Sequence, residues 1–101
     1  MKAVDLDRMQ ASASAASEFL SNLANEKRLL TLCRLMEAES SVGELAEAVG
    51  LSQSALSQHL TRLRKDGLVE TRRDGQTIYY RIADPRVKKL IRVLYDTFCK
   101  V

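Results

Sequence analysis

Histidine occurs once in this 101-residue chain, proline once, cysteine twice and glycine four times. Each scarcity excludes a class of function. His59 has no carboxylate or nucleophile at motif spacing, so general acid-base catalysis lacks a constellation, and the residue is read as packing or touching a phosphate at the edge of a buried helix face. The four glycines are scattered at turns or a helix start, so there is no phosphate-cradling loop. Two thiols alone cannot complete the four ligands of a structural zinc. No apolar run approaches the roughly twenty residues that span a bilayer. Met1 to Gln10 is polar and charged, unlike a signal peptide, and a cytoplasmic protein is expected. The chain shows no internal repeat.

Apolar residues are plentiful, at 46% of the chain, and sixteen basic residues face thirteen acidic ones for a net charge of +3 and a pI near 9.1. A chain of this length makes one domain over residues 1–101 with enough apolar side chains for a core. A small domain buries a limited share of its surface, so dimerisation would help it. The mild basic excess permits nucleic acid as partner without requiring it. Where the bases cluster is more informative.

Leu6 to Leu23 reads as a first helix, in which the Ala/Ser-rich stretch Ala11 to Ser17 leads into Phe19, Leu20 and Leu23 at helical spacing. Its small residues let another helix approach closely. Asn25 is a good N-cap for a second helix ending at about Met36 or Glu37, with Leu29, Leu32, Cys33 and Met36 on one face. Ser41-Val-Gly-Glu44 has the pattern of a capping box and opens a helix from Val42 to Val49. Gly50 can end that helix and Ser52 can cap the next, so a turn of about three residues forces the two to cross steeply.

The fourth helix runs from Gln53 to Asp66, with Leu56, Leu60 and Leu63 on its buried side. Ser54, Ser57, Gln58, Thr61, Arg62 and Lys65 then point towards solvent. A glutamine amide matches the donor and acceptor on the major-groove edge of adenine, serine hydroxyls serve either role, and Arg62 and Lys65 suit phosphates. Taken alone, such a row is also an ordinary solvated helix face. Its setting changes that reading.

After Gly67, a helix stop, Leu68 to Arg73 and Gln76 to Ile82 flank Asp74-Gly75, a dipeptide favoured in two-residue hairpin turns. In that register Val69 and Thr71 face Tyr80 and Ile78. Arg72, Arg73 and Gln76 lie near the projecting end, where a cationic tip can grip the DNA backbone or enter a minor groove. Asp84 and Pro85 open a last helix through Val87, Leu90, Ile91, Leu94 and Phe98, solvated on its other face by Lys88, Lys89 and Arg92. That stripe either packs on its own domain or carries a dimer contact. The whole order is mainly α with a β-hairpin wing, about five helices and two strands: a winged helix-turn-helix.

The segments Leu51-Ser-Gln-Ser-Ala-Leu-Ser-Gln-His-Leu60, Leu63-Arg-Lys-Asp-Gly-Leu-Val69, Arg72-Arg-Asp-Gly75 and Tyr79-Tyr80 resemble the ArsR family of bacterial repressors, and the resemblance covers nearly the whole chain. It implies a homodimer built on the first and last helices. Such a dimer binds an inverted repeat of double-stranded DNA and releases it when a small inducer or oxidant acts. By position, the base-reading residues are Gln53, Ser54, Ser57 and Gln58. Metal-sensing members place cysteines at the start of the helix before the reading helix, or histidines and acids along the last helix. This chain departs from both patterns, with no cysteine from Ser41 to Val49 and no histidine from Arg86 to Val101.

By themselves, Cys33 and Cys99 read as small buried hydrophobes of a cytosolic chain. Within the family, a cysteine in Arg28-Leu-Leu-Thr-Leu-Cys-Arg-Leu35 together with one in Leu94-Tyr-Asp-Thr-Phe-Cys99 marks the sulfur- and redox-responsive branch. That branch is implied to bridge the two cysteines by a disulfide or polysulfide when reactive sulfur species or oxidants appear, without a cofactor. Three alternatives stand beside it. One is a metal-responsive repressor of the same family. Another is a two-cysteine thiol oxidoreductase, which needs a low-pKa cysteine in a setting that neither residue occupies. The third is a winged helix used only for protein contacts.

Overall fold

Local capping chemistry sets most element boundaries in the computed structural model, which describes residues 4–99. Helix α1 (Leu6–Leu23) begins where the Asp5 carboxylate accepts the Asp7 and Arg8 amides, and α2 (Glu26–Glu37) where the Asn25 side chain accepts that of Arg28. The capping box closes in both directions. Ser41 Oγ accepts the Glu44 amide at 3.2 Å, the Glu44 carboxylate accepts the Ser41 amide at 2.9 Å, and α3 (Val42–Val49) follows. Gly50, at φ +72°, ends α3 in the left-handed region that glycine enters without strain. Ser52 then caps α4 (Gln53–Lys65) by accepting the Ala55 amide at 3.1 Å. Asp66, expected inside α4, is instead its C-cap.

The wing differs from the sequence expectation in two respects. The sheet has three strands, not two: a short β1 (Ser40–Ser41) pairs antiparallel with β3 (Thr77–Ile82), which also pairs with β2 (Val69–Asp74), in the order β1-β3-β2. Two residues, the second of them the cap of α3, carry no alternation to read, and β1 is recruited by the free edge of β3. The hairpin register is also displaced by two residues. Asp74 pairs with Thr77, so Gly75-Gln76 and not Asp74-Gly75 forms the turn, and Val69, Thr71 and Arg73 oppose Ile82, Tyr80 and Ile78. Gly75 alone takes a positive φ there, +64°, which fits a turn with glycine at its first central position; an Asp-Gly turn of the other primed type needs positive φ at both. An even shift leaves every side chain on its expected face.

The core gathers under α4, where Leu56, Leu60 and Leu63 meet Leu32 of α2, Leu45 of α3 and Val87 of α5 (Pro85–Phe98), all essentially inaccessible. Each such side chain contributes about 1.5–3 kcal/mol relative to exposure. The Leu68 carbonyl accepts the Ala83 amide at 2.9 Å and that of Asp84 at 3.4 Å, which ties the exit of α4 to the entry of α5. Helix α1 behaves differently, since Asn22 and Leu23 are its only buried residues. Leu6 and Met9 on α1 and Val93, Tyr95 and Phe98 on α5 are exposed, Phe98 to 78%. Among the described residues, no helix is long and apolar enough to cross a membrane.

Candidate nucleic-acid interface and thiol pair

Burial of Leu56, Leu60 and Leu63 decides which side α4 shows. Gln53, Ser54, Ser57, Gln58, Thr61, Arg62 and Lys65 are all exposed, and α4 contains no acid. The seven are not equally free. Thr61 Oγ1 donates to the Ser57 carbonyl at 2.8 Å, so it turns only acceptor lone pairs outward. Arg62 Nη2 donates to Ser21 Oγ on α1 at 3.0 Å, which draws its guanidinium to the side of the helix. Gln53 leans towards α3, its Nε2 3.6 Å from where a Cβ on Gly43 would stand. Ser54, Ser57 and Gln58 make no side-chain hydrogen bond among the described residues and carry the most available polar groups.

The three wing residues divide in the same way. Arg72 Nε donates to Glu39 Oε1 at 2.5 Å, its Nη2 pairs with the same oxygen, and its guanidinium lies 4.9 Å from the Tyr79 ring centre. The hydrogen bond to Glu39 is the main reason that the Arg72 pKa rises from its ordinary value. Arg72 therefore fastens the wing to the segment before β1. Arg73 and Gln76 are exposed near the tip and are the groups left to meet a ligand.

Cys33 is half-buried and opens into a cleft of 440 Å³ between α2 and α5, walled by Met36, Ile91 and Tyr95 with Glu37 and Arg92 at its rim. Cys99 is the exposed C-cap of α5, one helical turn beyond Tyr95, whose carbonyl accepts its amide at 2.8 Å. Both are free thiols. Burial raises the Cys33 pKa first, and the nearby charges of Cys99 and Glu37 raise it further, so the two cysteines lie within electrostatic reach of one another. Among the described residues, no three of His, Cys, Asp and Glu are grouped so as to hold a metal ion.

Sequence reasoning missed Glu39, Ser21 and Arg28. Glu39 and Ser21 carry no periodic signal, because each acquires its role from a partner far along the chain. Arg28 was legible in principle, as a cation within the buried stripe Arg28, Thr31, Leu32 and Leu35 of α2.

The profile for bacterial regulatory proteins of the arsR family matches residues 25–71. The transcriptional activator HlyU of Vibrio cholerae is 45% identical over 97 residues, which make up 96% of this chain and 90% of that protein. The crystal structure of the transcriptional repressor BigR from Xylella fastidiosa superposes with a TM-score of 0.90 at 38% identity, over 97% of this chain and all of that one. A homodimeric winged helix-turn-helix DNA-binding domain from Mycobacterium bovis, described as a possible ArsR-family transcriptional regulator, gives a TM-score of 0.77 at 34% identity, over 96% and 89% of the two chains.

Proposed function

The chain belongs to the ArsR family of bacterial regulatory proteins, and from that premise we propose that it is a homodimeric repressor which releases its operator when Cys33 and Cys99 are bridged. It is a DNA-binding regulator and not an enzyme. The whole chain acts in the cytoplasm as one winged helix-turn-helix unit. Its α4 reads an inverted repeat through Gln53, Ser54, Ser57 and Gln58, while Lys65 and Arg73 hold phosphates. The exposed apolar residues of α1 and α5, and the homodimeric Mycobacterium bovis relative, support pairing through those two helices.

The observation that carries the switch is the position of the thiols. Cys33 opens from the helix under the reading unit into the α2–α5 cleft, and Cys99 caps the helix assigned to the dimer contact, near enough for its charge to raise the Cys33 pKa. A disulfide needs the two Cα atoms within about 7 Å, and extra sulfur atoms relax that limit. One thiolate attacks the sulfane sulfur of an organic persulfide, becoming a persulfide itself and expelling the thiolate of the donor. The second thiolate attacks the inner sulfur of that group, closing the disulfide and expelling hydrosulfide, so the cysteine pair loses two electrons and the sulfane sulfur gains them. When both cysteines carry sulfane sulfur first, the bridge keeps extra atoms and hydrosulfide still leaves. Drawing the end of α5 onto α2 shifts the dimer helix against the core and changes the spacing of the two reading helices.

Mass spectrometry of the protein after persulfide treatment, paired with a shift assay on DNA upstream of its own gene, tests this reading. A bridge between Cys33 and Cys99 should appear together with loss of the shifted complex, and reductant should restore both. A complex that survives complete bridging would leave both cysteines without a role in release.

A further inference from the structure

Arg28 is a buried cation, 8% exposed, with no ion pair among the described residues. Its Nε donates to the Asn22 carbonyl at 3.0 Å and its Nη2 to the Ser21 carbonyl at 3.3 Å. Those carbonyls belong to the last turn of α1, where the helix leaves them without internal partners and where its dipole is negative. Nη1, the remaining terminal nitrogen, faces His59 Nδ1 on α4 at 3.4 Å. A guanidinium can only donate, so as a hydrogen bond this contact requires Nδ1 to accept, which calls for a neutral imidazole with its proton on Nε2.

Two further bonds join α4 and its C-cap to the same end of α1: Arg62 Nη2 to Ser21 Oγ at 3.0 Å and Asn22 Nδ2 to Asp66 Oδ2 at 2.9 Å. His59, Arg62 and the C-cap Asp66 recur at spacings of three and four, so they form one stripe along the α1 side of α4. We propose that Arg28 and His59 are positioning residues for DNA reading: neutral His59, docked on Arg28, holds α4 at its angle to α1, and protonating His59 undoes the docking. The inference rests on the DNA-reading function above and adds the groups that aim the helix.

Protonation would set an N–H against an N–H and one positive charge against another. The charged groups around His59 are Arg28 from α2 and Arg62 from α4 itself. Helix α1 meets this stripe through the uncharged Ser21 and Asn22, with Glu18 one turn earlier beside Asn22 and Asp66, and the Asp66 carboxylate accepts from Asn22. Burial first, and the Arg28 charge second, push the His59 pKa below its ordinary 6.5. The docking is therefore complete above that ordinary value and is lost as pH falls through the lowered one. A histidine that merely met a phosphate would act in the opposite sense, since its protonation strengthens binding to DNA.

His59 is the only histidine in the chain, so nitrogen-15 NMR of the full-length protein without DNA reports its ring directly. The expected result is the Nε2–H tautomer at neutral pH, titration below the ordinary value, and mixed tautomers in Arg28→Lys, which keeps the charge but loses the fork. Fluorescence anisotropy with a duplex from upstream of the gene should show affinity falling several-fold between about pH 7.5 and 5.5. In His59→Asn, which keeps an acceptor near the Nδ1 position and cannot take a proton, affinity should become independent of pH. An Nδ1–H tautomer, or affinity that rises on acidification and stops doing so in His59→Asn, overturns the proposal whether or not Arg28→Lys folds. The expected tautomer in a protein with no sequence preference at any pH would instead overturn the DNA-reading function and leave the docking intact.

Discussion

Gln58 and Arg73 are both exposed polar residues, yet they ask different things of DNA. An amide on α4 reads a base edge, whereas a guanidinium on the wing neutralises a phosphate that every sequence shares. Gln58→Ala should therefore lose about 1–3 kcal/mol of discrimination between operator and scrambled duplex. Arg73→Gln should weaken both alike and lower the slope of log affinity against log salt by about one. Equal losses on the two duplexes for Gln58→Ala, measured by anisotropy, would remove its base contact. Cys33→Ser and Cys99→Ser should each preserve DNA affinity and abolish the response to persulfide, because a bridge needs both sulfurs. Release at the normal rate from either variant would refute the two-cysteine switch. The exposed row on α4 was legible because periodicity and side-chain chemistry are local properties. The contacts Arg28–His59, Arg72–Glu39 and Arg62–Ser21 were not, since their partners lie 31, 33 and 41 positions apart and meet only after the elements pack.

Among the elements, the helices were readable to within a residue or so because each announces its start with a capping side chain. The sheet was less readable: β1 is too short to show a period, and the turn register depends on where glycine must take a positive φ, not on which dipeptide is commonest. That sheet also shows how the wing is restrained, through the Glu39 carboxylate on Arg72. Glu39→Gln should cost little stability, since the pair is partly exposed and screened. It should raise affinity for scrambled duplex, because one acid is removed beside the wing and Arg72 becomes available to phosphates. Thermal unfolding with anisotropy checks this, and unchanged affinity on both duplexes would show that the restraint has no bearing on binding.

At the scale of the molecule, the described residues have a radius of gyration of 15.2 Å, against about 13 Å for a compact chain of this length. The excess comes from helices that present apolar residues to no partner of their own. Sedimentation at micromolar concentration should show a two-fold dimer, and its reading helices should engage half-sites roughly 34 Å apart. A monomer retaining full operator affinity would rule out that architecture. From sequence, the stripe on α5 left self-packing and pairing undecided, because both demand the same periodicity. Helix α1 raises a consequence of another kind. It is about 27 Å long, and only its end from Phe19 to Leu23 packs on the core. A helix so sparsely supported is near the limit of persistence in water. In the proposed dimer it is the second copy that keeps α1 wound, so dilution frays this arm before it touches the core. How many molecules a cell makes would then set how many are whole: a scarce regulator would be a partly melted one, offered to proteases before it finds DNA, and abundance would become a threshold for guarding the gene.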